Sequence, residues 1–136
     1  MTLISSLGIL SAQRADEIKG VWLNETRDVK VEIYKTGNTY SGKITWIQNM
    51  YESDGKTLKK DIRNTDASLR NRTIVNLDIL SGFSFDAGEW TGGTLYDPKS
   101  GKIYKSKMKL NNGHLEIRGY VGSPMFGKTT VWTKAS

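Results

Sequence analysis

The residues best suited to chemistry in this chain lie in one long polar segment, residues 49–72, called the long loop below. They carry oxygen-bearing or cationic side chains at close spacing: Asp61, Asn64, Asp66, Arg70 and Arg72. Oxygen ligands of this kind can hold a cation, but one loop supplies fewer than the roughly six to eight oxygens that calcium takes. The same residues can cap a short helical turn near Ala67 and pair with the arginines. We predict this structural role and no metal site.

Other catalytic constellations are missing from the sequence. His114 is the only histidine, and it follows an Asn-Gly turn where we expect it to be exposed. A hydrolase triad needs a histidine held between a nucleophile and a carboxylate. There is no G-x-S-x-G elbow, no phosphate loop, no dinucleotide fingerprint and no cysteine. The sequence therefore predicts no catalytic residues and no cofactor. An enzymatic role would depend on Asp61, Asp66 and Arg70 alone.

The elements that must position these residues are short strands. Val29, Val31 and Ile33 alternate with polar residues, which is the period of a half-buried strand. Similar segments recur between turn signals, from a first strand at Ile18–Asn24 to a last one at Lys128–Thr133. The pattern predicts an all-β fold: a single antiparallel up-and-down barrel of about eight strands with one long rim loop. Residues 13–136 form one domain in this prediction.

Large side chains are predicted to fill much of the barrel interior. Alternation places six of them inward: Trp22, Trp46, Trp90, Tyr104, Met108 and Trp132. We expect Gly20 and Trp22 on the first strand to plug one end together with Trp132 and Lys134 on the last. An eight-stranded barrel has room for packed side chains or one small ligand. Any cavity should therefore be small and close to the other mouth.

A second candidate site surrounds a predicted turn. Asp97 and Pro98 begin it, and Gly101 can take the left-handed conformation that ends it. The flanking Tyr96 and Tyr104 can line the barrel mouth, although a tight hairpin also explains this sequence.

The first twelve residues carry no charge and are rich in Leu, Ile, Ser and Gly. Residues 1–12 resemble the apolar region and small-residue exit of a secretory signal, with a junction at Ala12-Gln13. The alternative is a short N-terminal helix packed under the barrel. The run is too short to span a bilayer. We therefore predict an exported protein, periplasmic or extracellular, with no transmembrane segment.

The net charge is +6, from twenty basic and fourteen acidic residues. Acids and bases are interleaved along most of the chain, which is typical of a solvated surface. Single-strand binding requires exposed aromatic residues among the basic ones, whereas most aromatics here are predicted to face inward. We therefore predict no nucleic-acid partner.

Three motifs together resemble domain-of-unknown-function family 2147, a family of exported bacterial proteins. The motifs are Asp61-x-x-Asn64-x-Asp66-x-x-Leu69-Arg70-x-Arg72, Trp90-x-Gly92-Gly93-x-x-Tyr96-Asp97-Pro98-x-x-Gly101-Lys102-x-Tyr104, and Arg118-Gly119-Tyr120-x-Gly122 followed by Trp132. The resemblance covers Ile18–Lys134. Thr65 stands where a proline is usual, and Asn76 where a glycine is usual. The family is similar to calycin barrels such as lipocalins, so the resemblance implies fold and compartment without an assigned activity.

Two functions remain open from the sequence. The first is a non-enzymatic binding module that holds a small apolar or amphipathic ligand, or a cell-envelope component, at its mouth. Its candidate ligand-binding residues are Trp46, Trp90, Tyr96, Tyr104, Arg70 and Arg72. The alternative is an envelope protein-interaction or structural module without a ligand cavity, which uses the long loop and a lysine-rich face.

Overall fold

The computed structural model describes residues 14–136, so the predicted signal remnant and its junction at Ala12-Gln13 lie outside the described residues. Eight strands follow in chain order: β1 (Gly20–Leu23), β2 (Val29–Thr36), β3 (Thr39–Ile47), β4 (Asp78–Asp86), β5 (Glu89–Asp97), β6 (Lys102–Asn111), β7 (His114–Tyr120) and β8 (Lys128–Lys134). Short 3₁₀ turns lie at Ala67–Leu69 and Pro124–Phe126. The first strand begins at Gly20, two residues after the predicted start at Ile18, because Ile18 belongs to the buried segment that covers one end of the barrel.

The strands form a closed antiparallel barrel in which each strand pairs with its sequence neighbours. The barrel closes where Trp22 pairs with Lys134 and Leu23 with Thr133, joining β1 to β8. Within residues 14–136, closure gives every strand of the barrel a partner on both sides. The predicted fold class, an all-β up-and-down barrel of about eight strands, is confirmed.

Local turn chemistry explains several of the connections. Asn112 and Gly113 have φ angles of 52° and 80°, the left-handed pair that a tight hairpin between β6 and β7 requires. Asn76, which stands in place of the family's usual glycine, has a φ of 73°. Asparagine tolerates this conformation better than other residues with a side chain, so it is suited to this position.

One end of the barrel, called the plugged end, is sealed by the residues that precede β1. Ala15 and Ile18 are buried there, and their carbonyl oxygens accept hydrogen bonds from two indole nitrogens. The Nε1 of Trp22 donates to Ile18 over 2.9 Å, and the Nε1 of Trp90 donates to Ala15 over 3.1 Å. The Nζ of Lys134 lies 4.7 Å from the ring centroid of Trp22. The sequence predicts this contact between the first and last strands, and the structure contains it.

Aromatic packing is concentrated toward the plugged end. Tyr40, Phe83, Trp90 and Met108 are buried in the core. The ring of Phe83 lies directly against the backbone of Gly93, where a Cβ atom would come within 2.5 Å of the ring. This close approach is the reason that β5 carries a glycine at this position. The half of the barrel toward the opposite end, the mouth, is left open.

The predicted inward position of Trp46 is wrong. Lys30 pairs with Trp46 but Val31 pairs with Ile44, so a bulge shifts the register of β3 by one residue at Thr45. A shift of one residue moves the following side chain to the other face of a sheet. Trp46 therefore lies beside Lys30, whose Nζ is 5.4 Å from the centroid of its ring. Trp46 does not line the interior.

Within residues 14–136 the structure has no helix long and apolar enough to cross a membrane.

Candidate functional site: the cavity beneath the long loop

A cavity of about 800 Å³ occupies the mouth half of the barrel. Its strand walls are mostly aliphatic and include Val29, Ile44, Ile47, Ile79, Leu95 and Ile117. Trp132, on β8, also lines the cavity. The long loop adds Ile62 and Ile74 to this lining. The prediction of a small cavity is therefore wrong, because one of the large side chains points outward and others pack at the plugged end.

The rim of the cavity is polar and carries more basic than acidic side chains. Five basic residues belong to the lining: Lys59, Lys60, Arg63, Lys99 and Lys128. The acidic ones are three: Asp28, Glu52 and Asp97. Apolar walls below a cationic rim can accept a molecule that has a hydrocarbon part and a polar or anionic end.

The structure divides the predicted ligand-binding residues into two groups. Tyr96 and Tyr104 line the cavity. Trp46 lies on the outer face of β3, and Trp90 belongs to the plugged end. Arg70 and Arg72 lie outside the lining, because they hold the long loop together. Four of the six predicted ligand-binding residues therefore lie outside the cavity lining.

A buried polar network anchors the long loop to the barrel. Asp61 is 1% exposed, and its carboxylate accepts hydrogen bonds from three side chains. The donors are Tyr96 Oη at 2.6 Å, Asn64 Nδ2 at 2.9 Å and Arg72 Nη2 at 3.2 Å. Because Tyr96 belongs to β5, the network joins the loop to the cavity wall.

Asp66 caps the 3₁₀ turn at Ala67–Leu69, as the sequence predicts. Its carboxylate accepts a hydrogen bond from the backbone N–H of Ser68 at 3.0 Å. Arg70 Nε donates to the carbonyl oxygen of Asn64 at 2.7 Å. Asp66 and Arg70 thus act within the loop itself. In the described part of the chain, no three histidine or acidic side chains group closely enough to hold a metal ion.

A second anchor joins the long loop to the turn between β5 and β6. Arg63 Nη1 donates to the carbonyl oxygen of Lys99 at 2.8 Å, and the Arg63 carbonyl lies against Gly101. Gly101 has a φ of 75°, and a Cβ atom there would overlap the Arg63 carbonyl oxygen. The turn therefore requires glycine at position 101 for its positive φ angle, and the long loop requires it because a side chain would collide with Arg63.

A charged cluster stands at the mouth on the side of β1 and β2. Asp28 accepts hydrogen bonds from Asn24 Nδ2 at 2.8 Å, Thr26 Oγ1 at 2.8 Å and Lys99 Nζ at 3.1 Å. These bonds, that from Asn24 foremost, lower the pKa of Asp28 to about 2. Because Lys99 belongs to the β5–β6 turn, the ion pair connects opposite parts of the rim.

The pKa of Tyr96 gives a test of the buried network. Burial, followed by the hydrogen bond to Asp61, raises the pKa of Tyr96 to about 12 from its ordinary value of 10.0. The folded protein thus holds this proton more tightly than the unfolded chain. The associated stability is fully present below pH 10 and is lost as the pH rises toward about 12.

We expect an NMR titration of ring-labelled tyrosines, assigned with Tyr96→Phe, to show Tyr96 ionising well after an exposed tyrosine. The variant should also lose stability less steeply between about pH 10 and 12. Ionisation of Tyr96 at its ordinary pKa would contradict the network.

Sequence reasoning missed much of the cavity. The aliphatic wall residues Ile44, Ile79 and Ile117 follow the period-2 pattern, and so the pattern contained a signal for them. Arg63 and Ile62 carried no such signal, because only the folded loop brings them to the mouth.

A closed eight-stranded antiparallel barrel with one plugged end and a cavity at the other defines a lipocalin-like fold. The chain belongs to domain-of-unknown-function family 2147, described as "uncharacterized protein conserved in bacteria", whose model matches residues 20–134. The predicted family membership is confirmed.

Among solved structures, the chain is similar to protein HP1028 from the human pathogen Helicobacter pylori, which is described as belonging to the lipocalin family. The two chains share 24% identity with a TM-score of 0.74, over 88% of this chain and 83% of the other. At this identity the likeness shows the fold alone. No curated protein matches the chain.

Proposed function

We propose that this protein is an exported, non-enzymatic binding protein that holds a small amphipathic molecule, or a component of the cell envelope, in its barrel. The cavity is the observation that carries the proposal. Its volume of about 800 Å³ falls within the range of roughly 300–1,000 Å³ that is usual for ligand sites.

The lining supports an amphipathic ligand with an anionic or strongly polar end. Ile44, Ile79 and Ile117 are buried and offer hydrocarbon surface inside the barrel. Lys59, Lys60 and other rim cations lie where the polar end would emerge toward solvent. A tail among the aliphatic residues would be removed from water, and its head would stay near positive charge.

The polar groups around the cavity favour binding over catalysis. The carboxylate of Asp61 is surrounded by its three donors, and Asp28 is held ionised by hydrogen bonds. Tyr96 keeps its proton to high pH. Asp28 and Tyr96 thus each stay in one protonation state across the physiological range, whereas a general acid or base needs a pKa near the operating pH.

The alternative is an envelope interaction module without a ligand cavity. The size of the cavity disfavours it, because a purely structural barrel would gain stability by filling this volume with side chains.

Binding can be tested with a fluorescent amphiphile, dansyl-undecanoate, and a pair of variants on β5. Leu95 lines the cavity, so Leu95→Trp should place a bulky indole ring in the space that a ligand would occupy. Thr94 is exposed on the opposite face, so Thr94→Trp adds the same side chain outside the barrel. We expect saturable binding of the amphiphile to wild type, weakened about tenfold or more by Leu95→Trp and unchanged by Thr94→Trp.

An uncharged dansyl amide of the same chain length tests the role of the rim cations and should bind more weakly than the carboxylate. Equal binding by wild type and Leu95→Trp would overturn the cavity as the ligand site, provided that both proteins keep the same circular dichroism spectrum.

A further inference from the structure

Positive charge is concentrated in the last three strands. From Pro98 to Ser136 the chain has eight basic residues and one acidic residue, a net charge of +7, whereas residues 1–97 sum to −1. The interleaving of acids and bases therefore stops after Asp97. This C-terminal segment forms β6, β7 and β8, which are adjacent in the barrel. Their outer surface is called the β6–β8 face below.

The lysines of this face are only partly neutralised. Lys107 and Lys109 each lie within 4 Å of one carboxylate, at 3.6 Å and 3.8 Å. Lys105 is exposed on this face and Lys102 at its mouth end, and no ion pair among the described residues includes either of them. Lys107 also pairs directly across the sheet with Arg118. Like charges placed opposite each other are destabilising in isolation, and an anionic partner would relieve that repulsion.

An exposed apolar tip lies at the mouth end of the same face, in the loop between β7 and β8. Val121, Met125 and Phe126 form this tip, with exposed fractions of 71%, 77% and 76%. Ile103 on β6 adds an exposed fraction of 68%. The other large exposed apolar residues of the described chain, such as Tyr51, are fewer and more scattered in sequence. Clustered apolar side chains of this kind are typical of an interaction surface.

Arg118 holds the apolar tip in place. Its Nε donates to the Pro124 carbonyl at 2.6 Å, its Nη2 to the Met125 carbonyl at 3.4 Å, and its Nη1 to Thr129 Oγ1 at 2.7 Å. Ser123 caps the 3₁₀ turn at its start. The backbone of the loop is thus fixed against the barrel, while the side chains of the tip are exposed to solvent. Because the backbone is already ordered, less conformational entropy is lost when these side chains bind a partner.

We propose that the β6–β8 face docks on an anionic membrane surface, with the apolar tip inserted among the lipid headgroups and the lysines against lipid phosphates. Apolar insertion combined with basic residues is the usual basis of reversible membrane binding. A nucleic acid would favour exposed aromatic residues between the cations, and Phe126 is the sole strongly exposed aromatic ring on this face within residues 14–136. Docking requires no ligand in the cavity and so stands apart from the proposed function.

Flotation with vesicles tests this proposal. We expect wild type to float with vesicles of equal parts phosphatidylglycerol and phosphatidylcholine, much less with pure phosphatidylcholine, and less as salt is raised. Met125→Ser with Phe126→Ser should reduce the bound fraction severalfold. Lys102→Glu with Lys105→Glu should weaken partitioning by about tenfold or more, given the contribution of each basic residue near an anionic surface.

Matched controls separate the face from general charge and hydrophobicity. Lys35→Glu with Lys56→Glu makes the same change in net charge away from this face and should retain binding. Tyr51→Ser removes an exposed ring from the long loop and should also retain it. Equal flotation of the Lys102→Glu/Lys105→Glu protein and its charge control would overturn the proposal. So would heparin or RNA binding as tight as vesicle binding, which would reassign the face to soluble polyanions. The Leu95→Trp protein should dock normally, so that failure of ligand binding and failure of docking are distinguishable.

Discussion

Trp22→Ala should destabilise the protein by about 3–5 kcal/mol, the usual cost of emptying a large buried aromatic site. Trp22 is 2% exposed, donates a hydrogen bond to Ile18 and lies under the ammonium group of Lys134. Its removal would leave a void at the point where the barrel closes between β1 and β8. Urea titration gives the free energy of unfolding directly, and the melting temperature should fall by about ten degrees or more.

The matched control is Trp46→Ala, because Trp46 is half-buried on the outer face of β3. This variant loses the contact with the Lys30 ammonium group and only partly buried apolar area. The free energy of unfolding should therefore fall much less than in Trp22→Ala. A Trp22→Ala protein that melts within about two degrees of wild type would contradict the description of the plugged end.

Asp61→Ala should have the second large effect, about 3 kcal/mol, because it leaves three donors without their shared acceptor in a buried site. Arg72 is partly exposed, so water can replace its hydrogen bond to Asp61. The lost stability therefore comes mainly from the buried donors of Tyr96 and Asn64. The long loop should also come away from β5, and its backbone amides should exchange hydrogen faster. Urea titration and hydrogen exchange measure the two effects separately.

Asp66→Ala is the control within the same loop. Asp66 caps an exposed 3₁₀ turn and makes no contact with a strand in the hydrogen bonds of the described residues, so its loss should loosen the turn without unfolding the barrel. Thermal melts after chelation, with and without calcium, magnesium or manganese, test the structural role of both carboxylates. A ligand that binds only the native state raises the midpoint. A cation-dependent rise that Asp61→Ala abolishes would contradict the structural role.

Features set by local chemistry could be predicted from the sequence. The turn at Asn112-Gly113 and the cap at Asp66 depend on conformations of residues adjacent in the chain. The alternation of Val31 and Ile33 predicts their burial, because side chains alternate faces along a regular strand. These local features are sufficient to define the barrel.

Features set by pairing between distant segments could not be predicted. The bulge that turns Trp46 outward depends on the register of β3 against β2, which the period-2 pattern of β3 alone does not contain. Trp90 packs at the plugged end because its indole N–H donates a hydrogen bond to the Ala15 carbonyl, 75 residues earlier in the chain. The volume of the cavity follows from both placements, and strand alternation alone therefore predicts a smaller cavity than the structure has. Arg63 reaches the rim through its contacts with the β5–β6 turn.

The central claim is that the barrel holds a small molecule in its mouth half, and native mass spectrometry of protein purified from its own host tests it most directly. Wild type should carry a co-purified small molecule at a single stoichiometry, and this mass should be absent from Leu95→Trp but present in Thr94→Trp. The claim would be contradicted if wild type and Leu95→Trp carried the same added mass. It would also be contradicted if neither protein carried a bound molecule.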